Sequence, residues 1–148
     1  MNKLSIPPLL SELITAGRWK QPSDKTITTV IPFLREPVDF FMDIEQMQRV
    51  SLQYLPIFLD PPNLADVFHV YRGSNTPAKD LPWLDVEKSL LIAGNRISGD
   101  DVAIILDYRT DLYDPRVVAN DWWTENNTKC LWTEVESKFS KFVQRIGI

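Results

Sequence analysis

The sequence predicts an α+β domain, a mainly antiparallel β-sheet flanked by N-terminal helices and a C-terminal helix. Three observations lead there. Apolar residues recur at helical spacing within the first 54 positions and again at the end, they switch to short alternating or wholly apolar runs between 67 and 122, and Gly, Asn and Asp gather between those runs as turn chemistry. Helices first, strands in a block and a helix last describe segregated layers, not alternating βαβ units. At 148 residues, 44% of them hydrophobic, the chain reads as one domain, 1–148, with enough apolar surface for a core that needs neither disulfide nor structural metal.

The first helix is expected over 7–16. Ser5 serves as its cap, Pro7 and Pro8 lie in the first turn where a missing N–H costs little, and Gly17 suits a left-handed position after its end. Leu9, Leu10, Leu13 and Ile14 make its buried stripe, and Trp19 packs it against the sheet. Residues 24–33 read as a strand or a rigid loop, because 26–31 are all β-branched. A second helix over 44–54 follows from Asp43 as N-cap, Gln46 three residues on, and Ile44, Met47 and Val50 at helical spacing. Pro56 and then Asp60-Pro61-Pro62-Asn63 end the helical half and open a loop.

The sheet is expected to begin at 67–71, where Val67, His69 and Tyr71 alternate with Phe68 and Val70. Trp83, after Leu81-Pro82, plugs the core at the start of an element. Residues 90–93 and 102–106 read as a hairpin of buried central strands, with turn chemistry at Gly94-Asn95 and Ser98-Gly99-Asp100-Asp101. A further strand spans 116–122. The last helix is expected to open on a capping box, Thr133 with Glu136, and to align Val135, Phe139, Phe142, Val143 and Ile146 on one face.

Composition removes several functions. Sixteen Lys and Arg against twenty Asp and Glu leave a net charge of −4, so the basic face on which nucleic-acid affinity rests is missing and no nucleic-acid partner is expected. One cysteine, Cys130, forms no internal disulfide, and with the single histidine, His69, it makes no Cys/His zinc site. Pro7, Pro8, Ser11 and Glu12 interrupt any signal-peptide core, and no apolar run reaches the roughly 20 residues needed to span a bilayer. The chain is therefore assigned to the cytoplasm, where the sequon Asn126-Asn127-Thr128 meets no glycosyltransferase. Lys129 beside Cys130 is expected to lower the thiol pKa a little, but neither Cys130 nor His69 sits in a nucleophile signature. His69 reads as a half-buried strand residue, and Gly94 and Gly99 as turn glycines without phosphate-loop context.

One segment stands out. Residues 100–125 carry seven acidic side chains against Arg109 and Arg116. Read as a group they form a negative docking face for a basic partner, with Asp100, Asp101, Tyr108, Asp111, Asp114, Trp122 and Trp123 as the binding residues. Read singly they are turn-capping aspartates on a solvated rim. Adjacent tryptophans on a strand point to opposite faces, so either one of Trp122 and Trp123 is core and the other an exposed interface anchor, or both are covered. Asp100, Asp101 and Asp107 as hard-metal ligands are the weaker alternative, because Asp101 and Asp107 bracket a strand and should stand roughly 20 Å apart. No metal and no cofactor are expected.

Leu90-Leu91-Ile92-Ala93, the Gly99-Asp100 turn, Val102-Ala103-Ile104-Ile105-Leu106-Asp107, and then Pro115 with Val117-Val118 resemble, in order and spacing, the middle of the SMI1/KNR4 (SUKH) superfamily. The C-terminal helix, preceded by Trp132, is similar to the one in which that family places a recurrent Phe, here Phe139 or Phe142. The likeness covers about 67–146; in the first half Val38-Asp39-Phe40-Phe41 stands where many members carry a Leu-Pro-aromatic motif. The resemblance implies an α+β fold without catalysis, and in bacterial members an immunity protein that binds and neutralises a toxin. A regulatory scaffold, as in fungal members, and a small metal-assisted hydrolase are the other readings.

Overall fold

In the middle of the chain the apolar runs alternate between two cores. Leu90, Ile92, Ile104, Leu106, Val117 and Ala119 face one side of the sheet, and Leu91, Ile105, Val118 and Trp132 face the other. A sheet covered on both faces reads as unbroken apolar strands, which is why 90–93 and 102–106 lack polar alternation. The structure, a computed structural model, describes residues 4–59, 62–73, 80–124 and 128–148. It is α+β, with one five-stranded antiparallel sheet and helices at both ends of the chain.

Element by element the chain forms α1 (Pro8–Thr15), α2 (Asp24–Val30), β1 (Val38–Phe40), α3 (Ile44–Tyr54), a 3-10 turn (Leu55–Leu59), α4 (Pro62–Phe68), β2 (Val70–Tyr71), β3 (Leu84–Asp85), β4 (Ser89–Asn95), β5 (Ile104–Asp107), β6 (Arg116–Asp121), β7 (Leu131–Glu136) and α5 (Phe139–Ile146). The main sheet has the order β1-β4-β5-β6-β7, while β2 and β3 pair in parallel as a separate ribbon. Residues from α1, α2 and α5 fill the first core; the 3-10 turn, α4 and the ribbon cover the second face. A register shift between Leu91 and Ala93 turns Ile92 and Ala93 to the same side, as a bulge does. Ser51 of α3 stitches this region, its buried hydroxyl donating to Met47 O at 2.7 Å and accepting from Leu91 N–H at 2.8 Å. The open edge of β1 is closed by a side chain: Gln21 donates to Val38 O and accepts from Phe40 N–H.

The 44–54 helix stands where it is expected, with the Asp43 carboxylate accepting from Gln46 N–H at 2.7 Å. The 90–106 hairpin and the strand from 116 are also found, as β4, β5 and β6. Trp19 is buried and donates from Nε1 to Phe41 O. Gly17 takes the left-handed conformation after α1, but Ser5 does not cap that helix; Pro7 occupies the cap position without a side-chain bond.

Four expectations are corrected. Residues 24–30 are a helix, because Ser23 caps them through Thr26 N–H and Ile27, Val30 and Ile31 reach the core at helical spacing. Thr28 and Thr29 turn their hydroxyls back to the Asp24 and Lys25 carbonyls, so the β-branched run is accommodated. The Pro-rich stretch at 56–63 does not open a loop: a 3-10 turn and then α4 follow α3, with Asp60 and Pro61 outside the described residues. The sheet starts at Val38, not at 67, since Val67 and Phe68 end α4 and His69 breaks the helix in a left-handed conformation with φ 50°. Carbonyls at the end of α4 then find partners elsewhere in the chain: Val67 O accepts from Cys130 N–H, Phe68 O from Trp132 Nε1 and His69 O from Leu84 N–H.

The fourth correction is at the C-terminus. Thr133 and Glu136 form no capping box, because 131–136 is the edge strand β7, paired with β6. The helix starts later, at Phe139, and its cap comes from a distant loop. The Asp114 carboxylate accepts from Ser140 N–H at 2.8 Å and from the Ser140 hydroxyl at 2.7 Å. A cap of this kind stabilises a helix by about 1 kcal/mol.

Candidate functional site

Strand β5 lies between the two halves of the acidic segment and separates them. Antiparallel pairing of β5 with β6 puts Asp100, Asp101, Trp122 and Trp123 at one end of the sheet, and Asp107, Tyr108, Asp111 and Asp114 at the other. At about 3.3 Å per residue the two groups are more than 10 Å apart. The single docking face drawn across 100–125 is therefore two sites, and Glu125 lies outside the described residues.

At the second of these ends the side chains are spent on the fold. Asp107 is fully buried; it accepts from Arg109 Nε and Nη2, both at 2.9 Å, and from Arg116 Nε at 2.8 Å. Arg116 reaches on to Asp80 at 2.7 Å, which with Leu81 N–H holds the Asp80 carboxyl below the usual carboxylate range. Tyr108 is 3% exposed and donates its hydroxyl to Ser5 O, so it is a core residue and presents nothing to a partner; burial pushes its phenol up. Asp111 accepts from Tyr113 N–H and Asp114 N–H, which lowers its pKa. Asp114 caps α5. Here each aspartate is a turn or helix cap or an ion-pair partner, which explains the acidic composition without a docking role.

At the first end the arrangement differs. Asn95 and Asn120 clamp 100–103 from two sides: Asn95 Oδ1 accepts from Val102 N–H and its amide donates to Asp100 O, while Asn120 Oδ1 accepts from Ala103 N–H and its amide donates to Asp101 O. Trp122 Nε1 donates to the same Asp101 carbonyl at 3.0 Å, and its ring meets Phe68 edge-on at 5.4 Å. Asp121 accepts from Trp123 N–H and Thr124 N–H, a turn cap again. Trp123 stays 39% exposed under the Arg35 guanidinium, 4.8 Å from the ring centroid. Asp100 keeps a buried Oδ2 without a hydrogen-bond partner among the described residues. The Asp101 carboxylate also has no hydrogen-bond or ion-pair partner among the described residues, since only its backbone carbonyl is engaged.

Partial burial, and then the charge of Glu36, push the Asp101 carboxyl above its ordinary 3.8. A raised folded-state pKa favours folding below the unfolded value, and that contribution is lost as pH rises through the folded one. Asp101→Asn removes the loss. Its melting temperature should exceed that of the parent at pH 7 and match it at pH 3.5; a lower value at pH 7 would show that the carboxylate has a stabilising partner.

Beside this end a cleft of about 300 Å³ opens between the second face of the sheet and the helical layer. Phe41, Tyr54, Phe58, Phe68 and Trp132 supply aromatic surface, Leu55 and Leu91 aliphatic surface, and Asn95, Asp101 and Asn120 polar atoms. Reading the sequence misses this cleft. The signal available is the run of Phe and Tyr between 40 and 68, but its residues come together only because α4 continues to Phe68.

The remaining candidates are structural. His69 Nδ1 pairs with Cys130 O at 2.7 Å and its ring stands edge-on to Trp83 at 5.0 Å. Cys130 is buried, and burial pushes its thiol well up; the expected lowering by Lys129 does not occur. Trp83 is half-buried and its carbonyl accepts from Arg109. Among the described residues no three His, Cys, Asp or Glu side chains gather into a group able to hold a metal ion. No helix among them is long and apolar enough to cross a membrane.

No protein-family model, curated protein or solved structure matches the chain.

Proposed function

We propose that the chain is a non-catalytic binding domain that engages a protein partner through the end of the sheet formed by 96–103 and 121–124. The observation that carries this reading is the pairing of Trp123 with Arg35: a large ring left 39% exposed with a guanidinium laid over it. Trp and Arg are the side chains that most often dominate an interface, and Ile97, 54% exposed on the loop between β4 and β5, extends apolar surface at the same end. The acidic contribution narrows from the segment of seven to Asp100, Asp101 and the neighbouring Glu36, which favours a partner with basic groups. Immunity against a toxin is the version of this function that the likeness to the SMI1/KNR4 superfamily favours.

The test is to look for a toxin gene beside the gene of this chain and to co-produce that toxin with the chain; a neighbourhood without a toxin gene counts against immunity. Restored growth, together with a complex that weakens as salt rises, is the expected result. Trp123→Ala should weaken that complex about tenfold to a hundredfold, a loss typical of a buried aromatic anchor, with unchanged circular dichroism. Full affinity in Trp123→Ala removes this surface from the function, and failure to restore growth removes immunity.

A further inference from the structure

The 300 Å³ cleft is at the lower end of the volumes that hold small organic ligands, and its walls are of the usual kind, mostly aromatic and aliphatic with few polar groups. Those polar groups differ in what they have left to offer. Asn95 and Asn120 each bond the 100–103 segment through both amide oxygen and nitrogen, which fixes their orientation, and neither carries a charge. Asp101 is the exception: the residue keeps exposed surface and its carboxylate has no hydrogen-bond or ion-pair partner among the described residues, while its backbone is held by Asn120 and Trp122. An ionised carboxylate only accepts, so what it lacks is a donor, and a positively charged one is bound best.

The surroundings agree on the sign. Glu36 interacts with Asp101 as a second negative charge, and the faces of aromatic rings attract cations. An anion brought to the same place meets two carboxylates. We propose that the cleft binds a small organic amine, its apolar body among Phe41, Tyr54, Phe58 and Phe68 and its ammonium group on the Asp101 carboxylate. The rigid clamp on 100–103 holds the acceptor in place before the ligand arrives, so little ordering is required on binding. This site shares Asp101 with the surface proposed for the protein partner, but its apolar walls lie in the cleft, away from Trp123, and its test does not use that partner.

Three probes of similar shape separate the contributions: 2-phenylethylamine, the neutral 2-phenylethanol and the anion 3-phenylpropanoate. Titration of the whole chain, followed by the NMR signals of the Ala103 amide and the Trp132 indole N–H, should show saturable binding of the amine, about tenfold weaker binding of the alcohol, and weakest binding of the carboxylate. Asp101→Asn should bring amine and alcohol to equal affinity while leaving the affinity for the alcohol unchanged. That split cannot come from unfolding, which would abolish both. Equal binding of amine and alcohol by the parent chain overturns the assignment to Asp101, and no saturable shift with any of the three overturns the site. Neither result bears on growth rescue by the chain, so the two proposals fail separately.

Discussion

Replacing Asp107 by Ala is expected to destabilise the fold by about 3–5 kcal/mol, the loss usual when one partner of a buried ion pair is removed. The carboxylate is fully buried and accepts three guanidinium bonds, and it also takes the Arg109 backbone N–H. Among the described residues the substitution leaves Arg116, itself buried, with Asp80 alone, and it loosens Arg109 from the network that ties it to Tyr71 and the Trp83 carbonyl. Asp107 and Arg116 face each other at the end of the β5–β6 register, so the damage falls where these two central strands are joined. Urea unfolding of the variant measures it. The double variant Asp107→Leu, Arg116→Met should recover part of the loss, because removing both charges leaves fewer buried groups unpaired. A single-variant loss below about 1 kcal/mol would mean that water reaches the pair and that it resembles an ordinary surface salt bridge.

Phe139→Ala should cost a similar amount, about 3–5 kcal/mol, through the cavity it leaves. Phe139 is fully buried at the first position of α5, with Trp19 at 5.9 Å between ring centroids, and Trp19 in turn stands against Phe40 of β1. One ring therefore joins the C-terminal helix, the segment after α1 and the edge of the sheet. Phe139→Leu should lose clearly less, since it keeps most of the apolar volume. Equal losses in the two variants would indicate that ring geometry, not filled space, holds α5 on the sheet. Both substitutions lie in the first core, away from the cleft and from Trp123, so any binding that survives in the folded fraction isolates stability from function.

What could be read from the sequence was local. The α3 helix needs only Asp43, Gln46 and its own apolar spacing, and its expected bounds hold. The β4–β5 hairpin needs two apolar runs and a turn, and it too is found. The misread segments at 67–71 and 131–140 share one physical trait, a partner distant in the chain, whereas 24–30 is held as a helix by its own Ser23 cap. Residues 131–136 carry a local capping box, yet the free edge of β6 pairs them as a strand. The start of α5 has no side-chain cap of its own, because Asp114 supplies one from 26 residues away. Val67 ends a helix because distant groups, among them Cys130 N–H, Trp132 Nε1 and Leu84 N–H, take up carbonyls at that helix terminus.

The candidate site divides in the same way. Composition alone marks 100–125 as acidic, but the number of carboxylates in a segment says nothing about what each one faces. Tertiary structure turned Asp107 inward onto two arginines, gave Asp111, Asp114 and Asp121 backbone and side-chain donors, buried Tyr108, and left Asp101 and Trp123 outward at one end of the sheet. Sequence by itself determined the α+β class, the central strands β4, β5 and β6 and the absence of a long apolar span, because these follow from the period and total of apolar residues. Which charges remain available, and the cleft beside them, were decided by the packing of helices onto both faces of the sheet. A side chain's surplus hydrogen-bonding capacity is what its neighbours leave unused, and most of those neighbours come from elsewhere in the chain.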